Sequence, residues 1–434
     1  MKKVIVYCFA LVLMTFVGCQ KEELHLEETA TATKEITQKG GYETTSNAQS
    51  NELVILYPEG TSEAEKELKR AEYNVESYKK CECADPNLEL WSFGKEEVRN
   101  GGGIETKRQS TQADEEIEGS EYNPNIKIQE DLFVEFGGTA STSDGIQKRV
   151  AANQGVTIAV LDTGVDYNYE GFINPFLYNS STDGCNNNGY QEEFGWNFVD
   201  NDNNPFDNHY GRHGTIVTSL ITSKLEAANV NYQILPVKVA NRQGNIKYFD
   251  ALCGFQYAAN KPDVSIINMS FGWYQQEREL LEKFIEDAED ILVITSAGNK
   301  GINNDTHPHY PSSYESDNIL AVAALSNNTA NNNSNVDIYA QGVNGSSNSA
   351  LADFSNRGIL SVDIAASGEN IPFTYNNDVI YISGTSYSAA LTSGFSGTKY
   401  INGMTGIMLK EKVLENAIYD PQLFEIQYSK HIPE

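Results

Sequence analysis

Apolar runs alternate with segments of helical pattern along the chain from about residue 150 onward. The apolar runs predict β-strands at residues 156–161, 234–239, 264–269, 291–295 and 319–324. The segments between and after them predict helices at residues 215–228, 248–260, 279–289 and 387–402. Near-continuous apolar strands that alternate with helices are typical of a parallel sheet with helices on both faces. The pattern therefore predicts an α/β domain, which we place at residues 138–434.

A smaller module precedes this domain. Apolar runs predict strands at residues 53–57, 88–93 and 132–136. Ser62 is a candidate N-cap for a helix that ends near Asn74. The polar segment 96–123, which contains three consecutive glycines, predicts a loop. These elements predict a small α+β module over residues 51–137.

The N-terminus has the pattern of a secretory leader. Lys2 and Lys3 precede the apolar run 4–18, which is shorter than the ~20 residues of a membrane span and predicts a signal peptide over residues 1–18. The end of this run, Phe16 to Cys19, resembles a bacterial lipobox and implies a lipid on Cys19. Leu is usual where Phe16 stands, and ordinary signal cleavage nearby is the alternative. Residues 19–50 are polar beyond the cysteine, which predicts a flexible tether.

The net negative charge of the chain excludes one class of partner, and its charged N-terminal residues indicate a location. The chain has 31 Lys and Arg against 60 Asp and Glu, which gives a formal net charge of −29. Such a polyanion repels nucleic acid, so we expect no nucleic-acid partner. The charged residues 20–23 resemble a signal that sends some bacterial lipoproteins to the cell surface. We expect an extracytoplasmic protein that is lipid-anchored to a bacterial outer membrane or cell surface.

Four of the six cysteines lie beyond the leader and the tether. Cys81 and Cys83 have no metal-type spacing, and on a strand two residues apart they would share one face. A disulfide between Cys185 and Cys253 is one expectation for an oxidising compartment. Buried free thiols at these two positions are the alternative, and the sequence does not decide between them.

Polar residues of four types follow apolar strands or lie at the starts of helices. Asp162 follows the strand at 156–161, His213 precedes an apolar helical run, and Asn299 follows the strand at 291–295. Ser386 lies in a turn of small residues at the start of a helix, where backbone N–H groups and the helix dipole favour negative charge. In parallel α/β sheets, sites form at the carboxyl ends of strands. Each residue alone has an ordinary structural explanation as a cap or a turn residue.

The occurrence of these residues together in one chain is more specific than any of them alone. The segments AVLDTG, HGTIV, NMSFG, SAGN and SGTS resemble signatures of the subtilase family and follow one another in that family's order, over about residues 150–400. The chain order Asp, His, Ser is that of subtilisin. Two positions depart from the family pattern: Ile216 stands where a second His is usual, and Tyr387 to Ala390 stand where Met-Ala-Ala-Pro is usual.

The resemblance implies a serine endopeptidase with a subtilisin-like fold. Asp162, His213 and Ser386 would be its catalytic triad, and Asn299 would bind the oxyanion. Catalysis would need no cofactor. Extended peptide or protein substrates would bind along Ser270, Phe271 and Gly272 and along Ser296, Ala297 and Gly298. The module at residues 51–137 would be a propeptide that inhibits the enzyme until the chain is cut between Phe136 and Val150, and an accessory domain that stays attached is the alternative.

Two segments of the chain have residues that could bind a metal ion. Asp200 and Asp202 lie in a segment rich in Asp and Asn, whose oxygens suit Ca²⁺; a solvated acidic loop is the alternative. A zinc site at His209 and His213 is disfavoured because Gly211 lies between them and no HExxH motif occurs.

The rival functions are an inactive subtilase fold that acts as a surface binding lipoprotein, and an α/β-hydrolase esterase. The esterase is disfavoured because Asp162 and His213 precede the Ser.

Overall fold

The computed structural model describes residues 51–128, 155–169, 171–172, 177–178, 184–187, 189–327, 350–375 and 378–434. The signal peptide, Cys19, the tether, the strand at 132–136 and the expected cleavage segment lie outside the described residues. Within the described parts, no helix is both long and apolar enough to cross a membrane. The module and the α/β domain belong to one compact unit.

The module is a four-stranded antiparallel sheet with three short helices. Its elements are β1 (Glu52–Leu56), α1 (Glu63–Glu72), β2 (Ser77–Cys81), β3 (Asp85–Ser92), α2 (Lys95–Asn100), α3 (Ile104–Gln112) and β4 (Gly119–Tyr122). The strand order is β2-β3-β1-β4. Ser62 and Glu65 form a reciprocal capping box at the start of α1, as the N-cap prediction requires. A further strand, β5 (Asn125–Lys127), follows the module's sheet but does not belong to it.

The prediction of a loop over residues 96–123 was wrong. Two helices and strand β4 occupy most of this segment. Helix α3 has few apolar residues, but it is held by local pairs such as the Arg108 guanidinium with the Glu105 carboxylate at 2.8 Å. Thr111 of α3 is buried against Ser120 of β4, where the two hydroxyls are 2.6 Å apart. Polar contacts of this kind leave no apolar period in the sequence.

The α/β domain is built on a nine-stranded sheet with the order β20-β21-β17-β16-β14-β12-β6-β10-β9. Its pairs from β9 to β21 are parallel, and only β20 is antiparallel to its neighbour. The strands are β6 (Val156–Asp162), β9 (Trp196–Asn197), β10 (Tyr232–Lys238), β12 (Val264–Met269), β14 (Leu292–Ser296), β16 (Ile319–Leu325), β17 (Ile364–Ser367), β20 (Ile418–Tyr419) and β21 (Lys430–His431). Short pairs outside the sheet are β7 (Asn186–Asn187) with β8 (Tyr190–Gln191), β13 (Trp273–Tyr274) with β15 (His309–Tyr310), and β18 (Ile371–Tyr375) with β19 (Asp378–Ile382).

Helices cover both faces of this sheet. They are α4 (His213–Ala227), α5 (Tyr248–Ala259), α6 (Glu279–Asp287), α7 (Thr385–Lys399) and α8 (Gly406–Asn416). Apolar residues of α5 and α6 belong to one core cluster, and those of α4, α7 and α8 to another. The predicted α/β class, with a parallel sheet between two helical layers, is confirmed.

The module lies with one face of its sheet against α5 and α6. Val54 and Leu90 of the module share a continuous apolar cluster with Leu252 of α5 and Phe284 of α6. The first N–H groups of a helix lack partners within the helix. The module also accepts hydrogen bonds from N–H groups at the N-termini of α5 and α6. Its Asn123 side chain accepts a hydrogen bond from the Phe249 N–H at 3.0 Å. The Pro124 carbonyl accepts from the Tyr248 N–H at 3.0 Å, and the Glu121 carboxylate from the Leu280 N–H at 3.4 Å.

Asp250, in the first turn of α5, makes the stability of this unit depend on pH. Burial raises the pKa of its carboxyl group to about 7, against the attraction of Lys79 and Lys247, and Glu52 and Asp200 raise it further. An acid whose pKa is raised on folding binds its proton more tightly in the folded state, so folding stability falls as pH rises from about 4 to 7. Each unit of pKa shift corresponds to about 1.4 kcal/mol.

We therefore expect Asp250→Asn to stabilise the protein at pH 8 by roughly 1–4 kcal/mol relative to its effect at pH 4, because the amide carries no charge. Thermal unfolding of Ser386→Ala chains with and without the change measures this difference. The matched control is Asp287→Asn on α6, where the side chain is 61% exposed. Equal effects of Asp250→Asn at both pH values would contradict the assignment.

Candidate active site

Asp162 and His213 meet in the interior at the carboxyl end of β6. The Nδ1 atom of His213 lies 2.8 Å and 3.0 Å from the two carboxylate oxygens of Asp162. Both residues are buried, and Asp162 also accepts a hydrogen bond from the Thr163 N–H at 2.7 Å. A carboxylate on Nδ1 holds the proton on that nitrogen and leaves Nε2 as the basic atom of the neutral ring.

The backbone brings α4 close to the strand that carries Asp162. His213 is the first residue of α4, and a Cβ atom on the next residue, Gly214, would lie 2.2 Å from the Gly164 carbonyl oxygen. Only glycine permits this approach. The Asp207 side chain caps the N-terminus of α4. Its carboxylate accepts hydrogen bonds from the Thr215 N–H at 3.0 Å and the Thr215 hydroxyl at 2.6 Å.

Ser386 is the second residue of α7, directly after the turn at Gly384. Its hydroxyl donates to the Ser270 carbonyl at 3.0 Å, and the Ser270 hydroxyl donates to the Ser386 carbonyl at 3.0 Å. Helices α7 and α4 pack closely, since a Cβ atom on Gly394 would lie 2.6 Å from the Ile221 carbonyl oxygen. The first turns of the two helices, with His213 and Ser386, lie at the same end of the sheet, because the ring centroids of His213 and Tyr387 are 5.8 Å apart.

Asn299 follows β14 and reaches the same turn. Its side-chain oxygen accepts hydrogen bonds from the Thr385 N–H at 2.9 Å and the Thr385 hydroxyl at 2.7 Å. Because the oxygen is held by Thr385, the amide NH₂ group points the other way. Its nitrogen lies 3.5 Å from the position that a Cβ atom on Gly384 would take, so the NH₂ group flanks the turn before Ser386.

The two segments expected to bind substrate each contact the turn that carries Ser386. Ser270, Phe271 and Gly272 follow β12, the strand next to β6, and Ser296, Ala297 and Gly298 lie at the end of β14. Thr385 ties the second segment to the serine turn, because the Gly298 N–H donates to its hydroxyl at 3.1 Å. Asn356 ties it from the other side by donating to the Ala297 carbonyl at 3.0 Å. Ser270 and Gly298 therefore contact the turn that carries Ser386, one from each segment.

A third strand edge near this site was missed from the sequence. Strand β11 (Asn245–Lys247) pairs antiparallel with β5 of the module. The pairing continues to Ile128, whose N–H donates to the Gly244 carbonyl at 2.9 Å. A Cβ atom on Gly244 would lie 3.1 Å from Nε2 of His209, so the module's last described residues lie beside the loop that leads to His213. The three residues of β11 are too few and too polar to give a strand pattern.

Both residues that depart from the family pattern are buried near the candidate site. Ile216 is buried in the core that α4 shares with the sheet. Tyr387 is also buried, and its ring centroid lies 5.8 Å from that of His213. The aromatic ring therefore forms part of the wall beside the imidazole.

Asp200 and Asp202, the two residues of the calcium prediction, lie on either side of the Asn197 side chain. Both carboxylates accept hydrogen bonds from the side-chain NH₂ of Asn197, each at 3.0 Å. The orientation of that amide is fixed, because its oxygen accepts from the Val199 N–H at 3.1 Å and the Asp200 N–H at 3.3 Å. Ca²⁺ takes oxygen ligands, so an ion here would bind the second oxygen of each carboxylate, and the calcium site stays a prediction. Within the described residues, no group of three or more His, Cys, Asp or Glu could hold a metal ion.

Three comparisons relate the chain to known proteins. A family model described as the subtilase family matches residues 153–428. A thermophilic serine proteinase of Bacillus sp. (strain AK1) is 28% identical over 292 residues, which cover 65% of this chain and 61% of the relative. A subtilisin-like protease of Coccidioides posadasii (strain C735) is 28% identical over 251 residues, which cover 56% and 52%.

The solved structures that are similar include the crystal structure of a cold adapted subtilisin-like serine proteinase. It has a TM-score of 0.45 and 21% sequence identity, over 64% of this chain and 88% of that chain. The chain spans about half to three fifths of the length of the two curated relatives.

Proposed function

The chain belongs to the subtilase family, and we propose that it is a serine endopeptidase that hydrolyses extracytoplasmic proteins or peptides. The observation that carries the proposal is the buried contact between Asp162 and His213, at 2.8 Å, in the same end of the sheet as Ser386. A Ser hydroxyl is a poor nucleophile at neutral pH and needs a base that is itself oriented by a third group. The three residues supply this arrangement.

In the proposed reaction, His213 takes the Ser386 proton as the hydroxyl oxygen attacks the substrate carbonyl carbon. For this step the hydroxyl turns away from the Ser270 carbonyl, which it contacts at 3.0 Å, toward Nε2 of His213. Asp162 keeps the imidazole in the required tautomer and stabilises the imidazolium that forms. His213 then gives the proton to the leaving amine, and water hydrolyses the acyl-enzyme by the same steps.

The oxyanion that forms at the carbonyl carbon needs donors that are already in place. Asn299 supplies one through its NH₂ group, whose direction follows from the two hydrogen bonds that Thr385 gives to its oxygen. The second donor is the Ser386 backbone N–H, one of the first N–H groups of α7, where the helix dipole favours negative charge. Catalysis on this route uses only groups of the chain.

The module acts in this proposal as an inhibitor that resembles a propeptide. Its strand β5 already pairs with β11, as an extended substrate would pair with a sheet edge. Ile128, the last described residue of the module, lies beside the loop that leads to His213. This supports a first cut further along the chain, between Phe136 and Val150. Peptide or protein substrates would bind along the edge formed by Ser270, Phe271 and Gly272.

A fluorophosphonate probe tests the proposal, because it reacts only with an activated serine. Probe adduct on Ser386, found by mass spectrometry of peptides, would support the enzyme. An unlabelled wild type would instead favour the inactive fold that acts as a surface binding lipoprotein. His213→Ala, tested beside the wild type, separates labelling that depends on the triad from nonspecific reaction.

We also propose that Cys19 carries a lipid anchor. The apolar run and the small residue before the cysteine support this proposal. Bacteria that express the protein and are fed a labelled fatty acid are expected to label the wild type and not Cys19→Ala. Cys8→Ala, in the middle of the apolar run, is the matched control and is expected to label normally. Equal labelling of wild type and Cys19→Ala would contradict the anchor.

A further inference from the structure

Two disulfides join the module to the α/β domain. Cys81 pairs with Cys253, and Cys83 pairs with Cys185, with Cα–Cα distances of 5.5 Å and 5.3 Å. The expectation of a Cys185–Cys253 bond, or of free thiols, was therefore wrong. Both pairings connect parts of the chain that are far apart, with sequence separations of 172 and 102 residues.

The module presents its two cysteines at one corner. Cys81 is the last residue of β2, and Cys83 lies in the turn before β3 with a φ of 66°. The two residues therefore do not share a face of a strand, which corrects the sequence prediction. The turn directs the two side chains to separate partners on the domain.

The partners on the domain are held by the core. Cys253 lies in the middle of α5 and is buried. Cys185 lies in a loop, and its N–H donates to the Glu192 carboxylate at 2.7 Å. Glu192 is itself buried and forms an ion pair with Lys261 at 3.0 Å, just beyond the end of α5. Both domain cysteines are thus fixed relative to the helix on which the module lies.

We propose that the module is a permanent, disulfide-linked partner of the α/β domain and is released only when both disulfides are reduced. Cutting the chain between Phe136 and Val150 gives a two-chain protein in which the module stays bound. This inference rests on the proposed function only for the source of the natural cut. It departs from the expectation of a propeptide that leaves once the backbone is cleaved.

Mass action explains why the disulfides decide the outcome. A module held only by noncovalent contacts dissociates on dilution after the cut, whereas a tethered one keeps a high effective concentration at its own site. Dissociation would also expose the apolar faces of α5 and α6 and leave their first N–H groups without Asn123 and Glu121. Each disulfide that is reduced gives two thiols and consumes one dithiol, which is oxidised to a disulfide. Two dithiols are therefore needed for release.

The test uses the Ser386→Ala chain with a site for a sequence-specific protease placed between Gly138 and Asp144. This cut does not depend on the protein's own activity. After cleavage, we expect one band on a non-reducing gel and two bands after treatment with dithiothreitol. Size-exclusion chromatography under dilute conditions should likewise separate the module only after reduction.

Paired variants give the matched controls and leave no single unpaired cysteine. Cys81→Ser/Cys253→Ser and Cys83→Ser/Cys185→Ser each keep one link, so each cut protein should still run as one band without reductant. The fourfold variant should give two bands without reductant, and thermal unfolding before the cut shows whether it is folded. Release of the module from the cut protein with native cysteines, without reductant, would overturn the proposal, as would four free thiols by mass spectrometry.

A separate measurement distinguishes the failure of the proposed function. Wild-type protein that remains a single chain on a reducing gel lacks the self-cleavage expected of the peptidase. The engineered cut in Ser386→Ala would then still show whether the module is retained. The two results are independent, because one depends on Ser386 and the other only on the four cysteines.

Discussion

Ser386→Ala is expected to lower kcat by about 10⁶-fold on any peptide that the wild type cleaves, which is the size of the loss when subtilisin itself lacks its nucleophile. Without the hydroxyl, no acyl-enzyme forms, and the contact between His213 and Asp162 has no nucleophile to activate. Steady-state hydrolysis of a fluorogenic peptide measures the loss. The same chain should also stay uncut between Phe136 and Val150.

The neighbouring Ser388→Ala is the matched control. Ser388 lies on the same helix and is buried, but its hydroxyl donates to the Ser367 carbonyl at 3.2 Å and does not face the reaction. Its replacement should leave kcat within a fewfold of the wild type. Comparable losses in the two variants would show that the helix, and not the hydroxyl of Ser386, had been damaged.

His213→Ala and the double variant test whether the residues act as a unit. Each is expected to lose about as much activity as Ser386→Ala alone, because either change removes the same proton transfer. Losses that multiply in the double variant would contradict a joint mechanism. Near-normal hydrolysis by His213→Ala would remove the triad assignment altogether.

Sequence patterns located the sheet well because its strands are buried on both faces. Such strands are continuous apolar runs, and the run predicted at 264–269 coincides with β12 (Val264–Met269). The helix predicted at 387–402 begins two residues earlier, at Thr385, because the Gly and Thr of the turn carry no helical period. Element ends depend on caps and turns more than on apolar pattern.

The module and its links show where sequence patterns fail. Helix α3 is stabilised by charged pairs on its surface, so its segment looked like a loop. The disulfides depend on how the sheet of the module lies against α5, which is a property of the folded chain. The spacing of Cys81, Cys83, Cys185 and Cys253 along the sequence carries no information about that contact.

The site itself was predicted from motifs, but the groups that orient it were not. Asp162, His213, Asn299 and Ser386 each lie at the end of a strand or the start of a helix, where apolar patterns stop and polar residues stand out. Thr385 lies inside the same motif as Ser386 and looked like a turn residue. Its role in holding Asn299 follows only from the two hydrogen bonds to the Asn299 oxygen.

Asn299→Ala is expected to lower kcat by about 10²–10³-fold with little change in KM, which is the size of the loss when subtilisin lacks its own oxyanion-binding Asn. The amide donates to an oxyanion that exists only in the transition state, so its loss affects the chemical step and not substrate binding. Asn303→Ala, at an exposed position four residues later, is the matched control.

Thr385→Val extends this prediction to the residue that orients the amide. It removes the hydroxyl that donates to the Asn299 oxygen at 2.7 Å but keeps the backbone N–H that donates to it at 2.9 Å. Two hydrogen bonds are lost, because the same hydroxyl accepts from the Gly298 N–H at 3.1 Å. We expect kcat to fall by about tenfold, less than in Asn299→Ala. Thr385→Ser restores the hydroxyl and should recover most of the activity. In the Asn299→Ala background, Thr385→Val should cost only the part that comes from the hydrogen bond of Gly298, because there is no amide left to orient. Equal losses from Thr385→Val in both backgrounds would show that Thr385 acts through Gly298 and not through Asn299.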